Sequence, residues 1–176
     1  MLSKRKLHKE GIHMFNNPPF QRSVLLLCAA LVMSCSSAQT PPCGKDITAA
    51  SFTVEVSRGS CMGSCPNYTA RIDGGGTITV EARAATPFVG TGTGMISGET
   101  VCQLVERIEQ TDLFSRKDDY TAQVADAPRT TLTVVMGGKR KKISWDIAPP
   151  KELAALAKYV DEISLYNKDV RVVAAP

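Results

Sequence analysis

The chain has 176 residues, 43% of them hydrophobic, 22% charged and 6% aromatic, a globular balance that excludes wholesale disorder, collagen and coiled coil. The formal charge of +4 lies in the first 34 residues, which carry five basic side chains against the single acid Glu10, while residues 35–176 carry sixteen of each sign. The sequence pI of about 8.8 is thus a property of the leader, which removes the main support for a nucleic-acid partner.

Ser23–Met33 is an apolar run shorter than the roughly 20 residues that a bilayer-spanning helix needs. Basic residues precede it and small ones follow, the layout of a secretory signal peptide over residues 1–34. The stretch before the run is long from Met1 and conventional from Met14, so either methionine can be the start. The run ends in Leu31-Val32-Met33-Ser34-Cys35, which resembles a bacterial lipobox. That resemblance implies acylation of Cys35 and cleavage before it, hence a membrane partner reached through a lipid anchor. Cys28 fits less well, because Leu27 before it is not small. Ser36 follows the cysteine where inner-membrane retention calls for Asp, so the expected place is the outer membrane, facing the periplasm. Plain secretion with cleavage near Ala38 is the other reading.

Residues 35–46 are rich in Ser, Pro, Gln and Thr and read as a tether. The folded domain is expected over 47–168, with 169–176 as a tail. Ser51–Ser57 alternates with Phe52, Val54 and Val56 on one face, a strand pattern. Tyr68–Ile72 and Thr77–Ala82 alternate likewise, and Asp73-Gly74-Gly75-Gly76 between them suits a hairpin turn. Phe88–Met95 reads as a further strand weakened by Gly90, Gly92 and Gly94. Ser97 can cap a helix whose Val101, Leu104, Val105 and Ile108 form one apolar stripe. Thr130–Met136 and Lys141–Ile147 flank Gly137-Gly138 as a second hairpin. Pro149-Pro150 opens a last helix with Leu153, Leu156, Val160 and Ile163 inward. The order predicts one α+β domain: a mostly antiparallel sheet with two helices packed on one face.

The densest motif is Arg58-Gly-Ser-Cys61-Met-Gly-Ser-Cys65-Pro66-Asn-Tyr68, between two predicted strands. A strand, then Arg-Gly-x-Cys-x-Gly-x-Cys-Pro-x-Tyr, then a strand and a glycine turn resembles the opening of a bacterial family of secreted and lipoprotein domains known as domain-of-unknown-function family 6438. The likeness continues through Leu113-Phe114, Tyr120, Asp126-x-Pro128 and Pro150-Lys-Glu-Leu153, and covers roughly residues 50–166. The resemblance implies an envelope location and an α+β domain. It implies no reaction.

Cys61 and Cys65 stand four apart across a glycine-containing turn, within reach of a disulfide in an oxidising compartment. Disulfide exchange lacks the Cys-x-x-Cys spacing. Cys-x-x-x-Cys-Pro also occurs in copper chaperones with a distant histidine ligand, but both histidines here, His8 and His13, lie in the leader. Cu(I) held by Cys61, Cys65 and a methionine stays open, since soft sulfur suits that ion. Cys43 and Cys102 form a second candidate pair, with Cys102 alternatively a buried hydrophobe.

Without histidine in the mature chain, Ser-His-Asp and His-metal hydrolysis are excluded. Asp112, Asp118, Asp119 and Asp126 gather near Tyr120 and read first as solvated turn acids. Gly90-x-Gly92-x-Gly94 matches no phosphate loop. Lys139–Lys142 reads as a solvated hairpin tip, with contact to anionic lipid or glycan as the alternative, and Trp145 as a core anchor. No cofactor, metal or catalytic residue is assigned. The expected function is a non-catalytic binding or structural role in the cell envelope, with an envelope protein or glycan as partner. The alternative is a thiol-based function, disulfide exchange or Cu(I) binding, at Cys61 and Cys65.

Overall fold

The computed structural model describes Cys43, residues 47–122 and residues 124–173. The leader and Cys35 lie outside the described residues, as does the tether apart from Cys43. Among the described residues no helix is long and apolar enough to cross a membrane.

The element order is β1 (Phe52–Arg58), β2 (Asn67–Asp73), β3 (Thr77–Ala84), β4 (Gly90–Met95), α1 (Gly98–Gln110), β5 (Asp119–Tyr120), β6 (Thr130–Met136), β7 (Lys139–Trp145), α2 (Lys151–Ser164) and β8 (Arg171–Val173), with a 3-10 turn at Leu113–Ser115. The strands form one sheet in the order β5-β7-β6-β1-β2-β3-β4-β8. Every pairing is antiparallel except that of β5 with β7. The fold is therefore α+β with a mostly antiparallel sheet.

Alternation in the strands decides which side is buried. Phe52, Val54 and Val56 of β1, Ala70 and Ile72 of β2, and Ile78 and Val80 of β3 are all fully buried. Register brings them together: Val54 faces Ile72 on one side and Val134 on the other, and Val56 faces Ala70 and Leu132. The hairpin turns follow from local chemistry. The Asp73 carboxylate accepts the N–H groups of Gly75 and Thr77 at 2.9 and 3.0 Å. Gly137 and Gly138 both take positive φ, 58° and 73°, the backbone that a two-residue β-turn demands.

Ser97 caps α1 by accepting the Thr100 N–H at 3.2 Å, and Val101, Leu104, Val105 and Ile108 are buried. In α2 the buried stripe is Leu153, Leu156, Ala157, Val160 and Ser164, while Ile163 is only partly buried against the same core. The Ser164 hydroxyl is satisfied by the Val160 carbonyl at 2.6 Å. The Arg107 guanidinium lies 4.2 Å over the Tyr159 ring, joining α1 to α2.

The sheet extends further at both edges than the alternation pattern predicts. Arg171–Val173, read from sequence as tail, pairs with Thr91–Thr93 of β4. The glycines of β4 make this pairing possible: a Cβ on Gly92 would stand 2.7 Å from the Phe88 ring, and one on Gly94 would stand 2.9 Å from the Val170 side chain. The glycines read as a weakness in the strand are the room that the returning chain and Phe88 occupy. At the other edge, the two residues of β5 run parallel to Ser144–Trp145.

Candidate functional site

One row of the sheet runs Trp145–Thr130–Arg58–Tyr68–Ala82 across β7, β6, β1, β2 and β3. It is the last row in which β1 takes part. Since Arg58 follows Val54 and Val56 at even spacing, its side chain leaves the strand on the core side. The residue read from sequence as the opening of a loop motif thus closes the core, and register sets it beside Tyr68.

Arg58 makes three side-chain bonds: Nε–H to the Tyr68 hydroxyl at 2.8 Å, Nη1–H to Thr130 Oγ1 at 3.1 Å, and Nη2–H to Asp161 Oδ2 at 2.6 Å. The Tyr68 hydroxyl in turn donates to Asp161 Oδ1. Asp161 comes from α2, four residues after the buried Ala157, so this network ties helix to sheet. The side chains of Arg58 and Asp161 are 26% and 15% exposed, and Tyr68 is 1% exposed. Two of the five guanidinium N–H groups make no bond to the described residues.

Burial works against the Arg58 charge. Asp161 and then Tyr68 more than offset it, so the guanidinium is held above its ordinary value. Burial, reinforced by the hydrogen bond to Asp161, pushes the Tyr68 phenol well above its usual value, with Arg58 acting in the opposite direction. The phenol is thereby held in the neutral form that donates to Asp161.

Above this network lies a cavity of about 410 Å³. Arg58, Tyr68, Thr130, Trp145 and Asp161 line its base, and Pro66, Pro87, Pro128, Pro149 and Tyr166 are among the residues around them. Trp145 is 3% exposed and belongs to the core. Cys65 also lines the cavity. Cys61 and Cys65 are joined as a disulfide, with Cα atoms 5.7 Å apart, and Cys43 and Cys102 are joined with Cα atoms 5.3 Å apart. Met62, at the tip of the Cys61–Cys65 loop, is highly exposed.

The acids near Tyr120 do not converge. Asp118 pairs with Lys141 at 2.6 Å. The Thr121 side chain and then the Thr121 N–H, which Asp119 accepts at 2.6 Å, hold the Asp119 carboxyl below its usual value. Asp112 takes a left-handed backbone, φ 49°, and accepts from Ser115. Asp126, φ 61°, belongs to the turn before Pro128. Among the described residues no group of three or more His, Cys, Asp or Glu side chains is placed to hold a metal ion.

Lys139–Lys142 is not uniformly a solvated tip. Lys141 lies opposite the buried Val134, so its stem runs along the core side. The Lys141 side chain is 16% exposed, and its ammonium is used on Asp118 and on the Arg116 carbonyl. Lys139, Arg140 and Lys142 are exposed.

The sheet, the two helices and the cystine loop beside a lined cavity define an α+β domain. The chain belongs to the family described as Domain of unknown function (DUF6438), whose sequence model matches residues 52–164. That span begins with the first residue of β1 and ends with the last of α2, so Tyr166 and β8 lie beyond it. No curated protein matches the chain.

Proposed function

We propose that the protein is a lipid-anchored domain of the bacterial cell envelope, held through Cys35 at the outer membrane and facing the periplasm, whose role is non-catalytic binding. An envelope protein or glycan is bound at the cavity over Arg58, Tyr68 and Asp161. The observation that carries the binding reading is the neutral Arg58–Tyr68–Asp161 network at the base of a cavity of about 410 Å³. Such a base offers hydrogen-bond donors and acceptors side by side, with the charge of each ion already compensated, which suits a polar uncharged group of a partner. The anchor is supported by the sequence ending in Ser34-Cys35. In this reading both helices cover one face of the sheet. In support, their buried side chains form a single cluster with those of β1–β3, β6 and β7.

Photo-crosslinking in intact cells tests the binding reading. A crosslinking residue replaces Tyr166, which is 70% exposed at the cavity, and a control replaces Thr79 on the opposite side of the strands. A discrete adduct from position 166, absent from position 79 and lost in Asp161→Ala, is expected. Equal labelling at both positions would remove the cavity from the proposal. The mass of the mature N-terminus separately reads acylation at Cys35. Facile reduction of Cys61–Cys65, or stoichiometric Cu(I) uptake, would favour the thiol reading instead.

A further inference from the structure

We infer that the β6–β7 hairpin carries a second binding site, for the head groups of anionic phospholipids. Four of the sixteen basic residues after position 34 are consecutive at Lys139–Lys142. They line a shallow cleft together with Phe114 and Asp118. Asp118 is the single acid of that lining, and Lys141 has taken it at 2.6 Å. Lys139, Arg140 and Lys142 are left exposed, with no ion pair to the described residues. Three uncompensated cations beside a half-buried ring form a surface complementary to phosphate esters.

Topology places this cleft at a telling end of the sheet. Met136 faces both Lys139 and Phe52, so the Gly137-Gly138 turn lies where β1 begins. Ile96 bonds the Gly76 carbonyl at that same end and leads into α1, where Cys102 holds Cys43. Cys43, bonded to Cys102, therefore lies toward the hairpin's end of the domain, and the Arg58–Asp161 cavity lies at the other. The choice of a lipid over another phosphate rests on the anchored reading. Acylation at Cys35, eight residues before Cys43, would bring a bilayer surface within reach of the cations, and an acyl chain with a basic patch is one of the pairings that give stable membrane attachment.

The test uses oxidised residues 36–176, which contain the whole described fold and carry no acyl chain. Its outcome is therefore independent of whether Cys35 is modified. Binding is measured by co-sedimentation with vesicles of phosphatidylcholine alone and with one part in three of phosphatidylglycerol. The chain should bind only the mixed vesicles, less so as salt rises. The triple variant Lys139→Ala, Arg140→Ala, Lys142→Ala should bind them roughly a hundredfold more weakly. Lys141 is kept, and the single reversal Arg140→Glu serves if the triple variant melts early. Equal binding to both vesicle types, or parental binding by both variants, would overturn the inference. Displacement from the vesicles by inorganic phosphate at modest concentration would also overturn it, showing a free-phosphate site.

Discussion

Replacing Asp161 by alanine tests the account of how α2 is fixed to the sheet. The substitution deletes the partner of Arg58 Nη2 and of the Tyr68 hydroxyl at once. Removing one member of a fully buried ion pair costs about 3–5 kcal/mol, because the other charge is left unpaired. Arg58 is 26% exposed, so water recovers part of that loss, and about 2–3 kcal/mol is the expected cost. For a folded unit of this size that corresponds to a fall in Tm of about 10 °C. The decisive measurement is a double-mutant cycle with Arg58→Met, followed by thermal and urea unfolding with the disulfides intact. Arg58→Met in the Asp161→Ala background should cost much less than alone, or restore stability, with a coupling of about 1–3 kcal/mol. A fall in Tm below about 2 °C for Asp161→Ala, or strict additivity of the two substitutions, would refute the reasoning.

Tyr68 gives a pH signature. Its phenol is raised above the usual value, so the stability it contributes is complete below the ordinary tyrosine range, near pH 10, and is lost as pH rises toward the folded-state value. In an ultraviolet titration one phenol should ionise only well above pH 10 or on unfolding, and that late step should vanish in Tyr68→Phe; its persistence there would assign it elsewhere. Lys141→Ala should lower stability by about 1 kcal/mol through its packed stem and lost contacts, whereas Lys142→Ala should stay within about 0.5 kcal/mol. Equal effects in chemical denaturation would contradict the burial of Lys141.

Much of the fold is legible from period alone. Phe52-x-Val54-x-Val56 and the stripe Val101, Leu104, Val105, Ile108 announce a half-buried strand and a core-facing helix, and both lie where the pattern puts them. Arg58 and Tyr68 are legible as members of a motif, but their meeting is not: it depends on a register that pairs position 58 with both 68 and 130. Asp161 passes unnoticed because an acid beside Val160 reads as the wet side of a helix. Its position four after Ala157 places it at the margin of the buried stripe, and a carboxylate there is the one available signal of a buried cation opposite. Arg171–Val173 is three residues long and exposed, too short and too wet for alternation to register. Lys141 misleads for a different reason: a charged head on a long apolar stem can occupy a core-side position while its charge leaves sideways to Asp118.

The Cys43–Cys102 bond has a mechanical consequence. With the chain anchored at Cys35 as proposed, Cys43 and its bond to Cys102 stand eight residues on, a span of at most about 28 Å at full stretch. Without that bond the next described residue, Ile47, stands twelve residues from Cys35, a span of at most about 42 Å at full stretch. A single thiol–disulfide step would thus act as a length adjustment, changing how far from the membrane the domain can search without altering any residue of the cavity it carries.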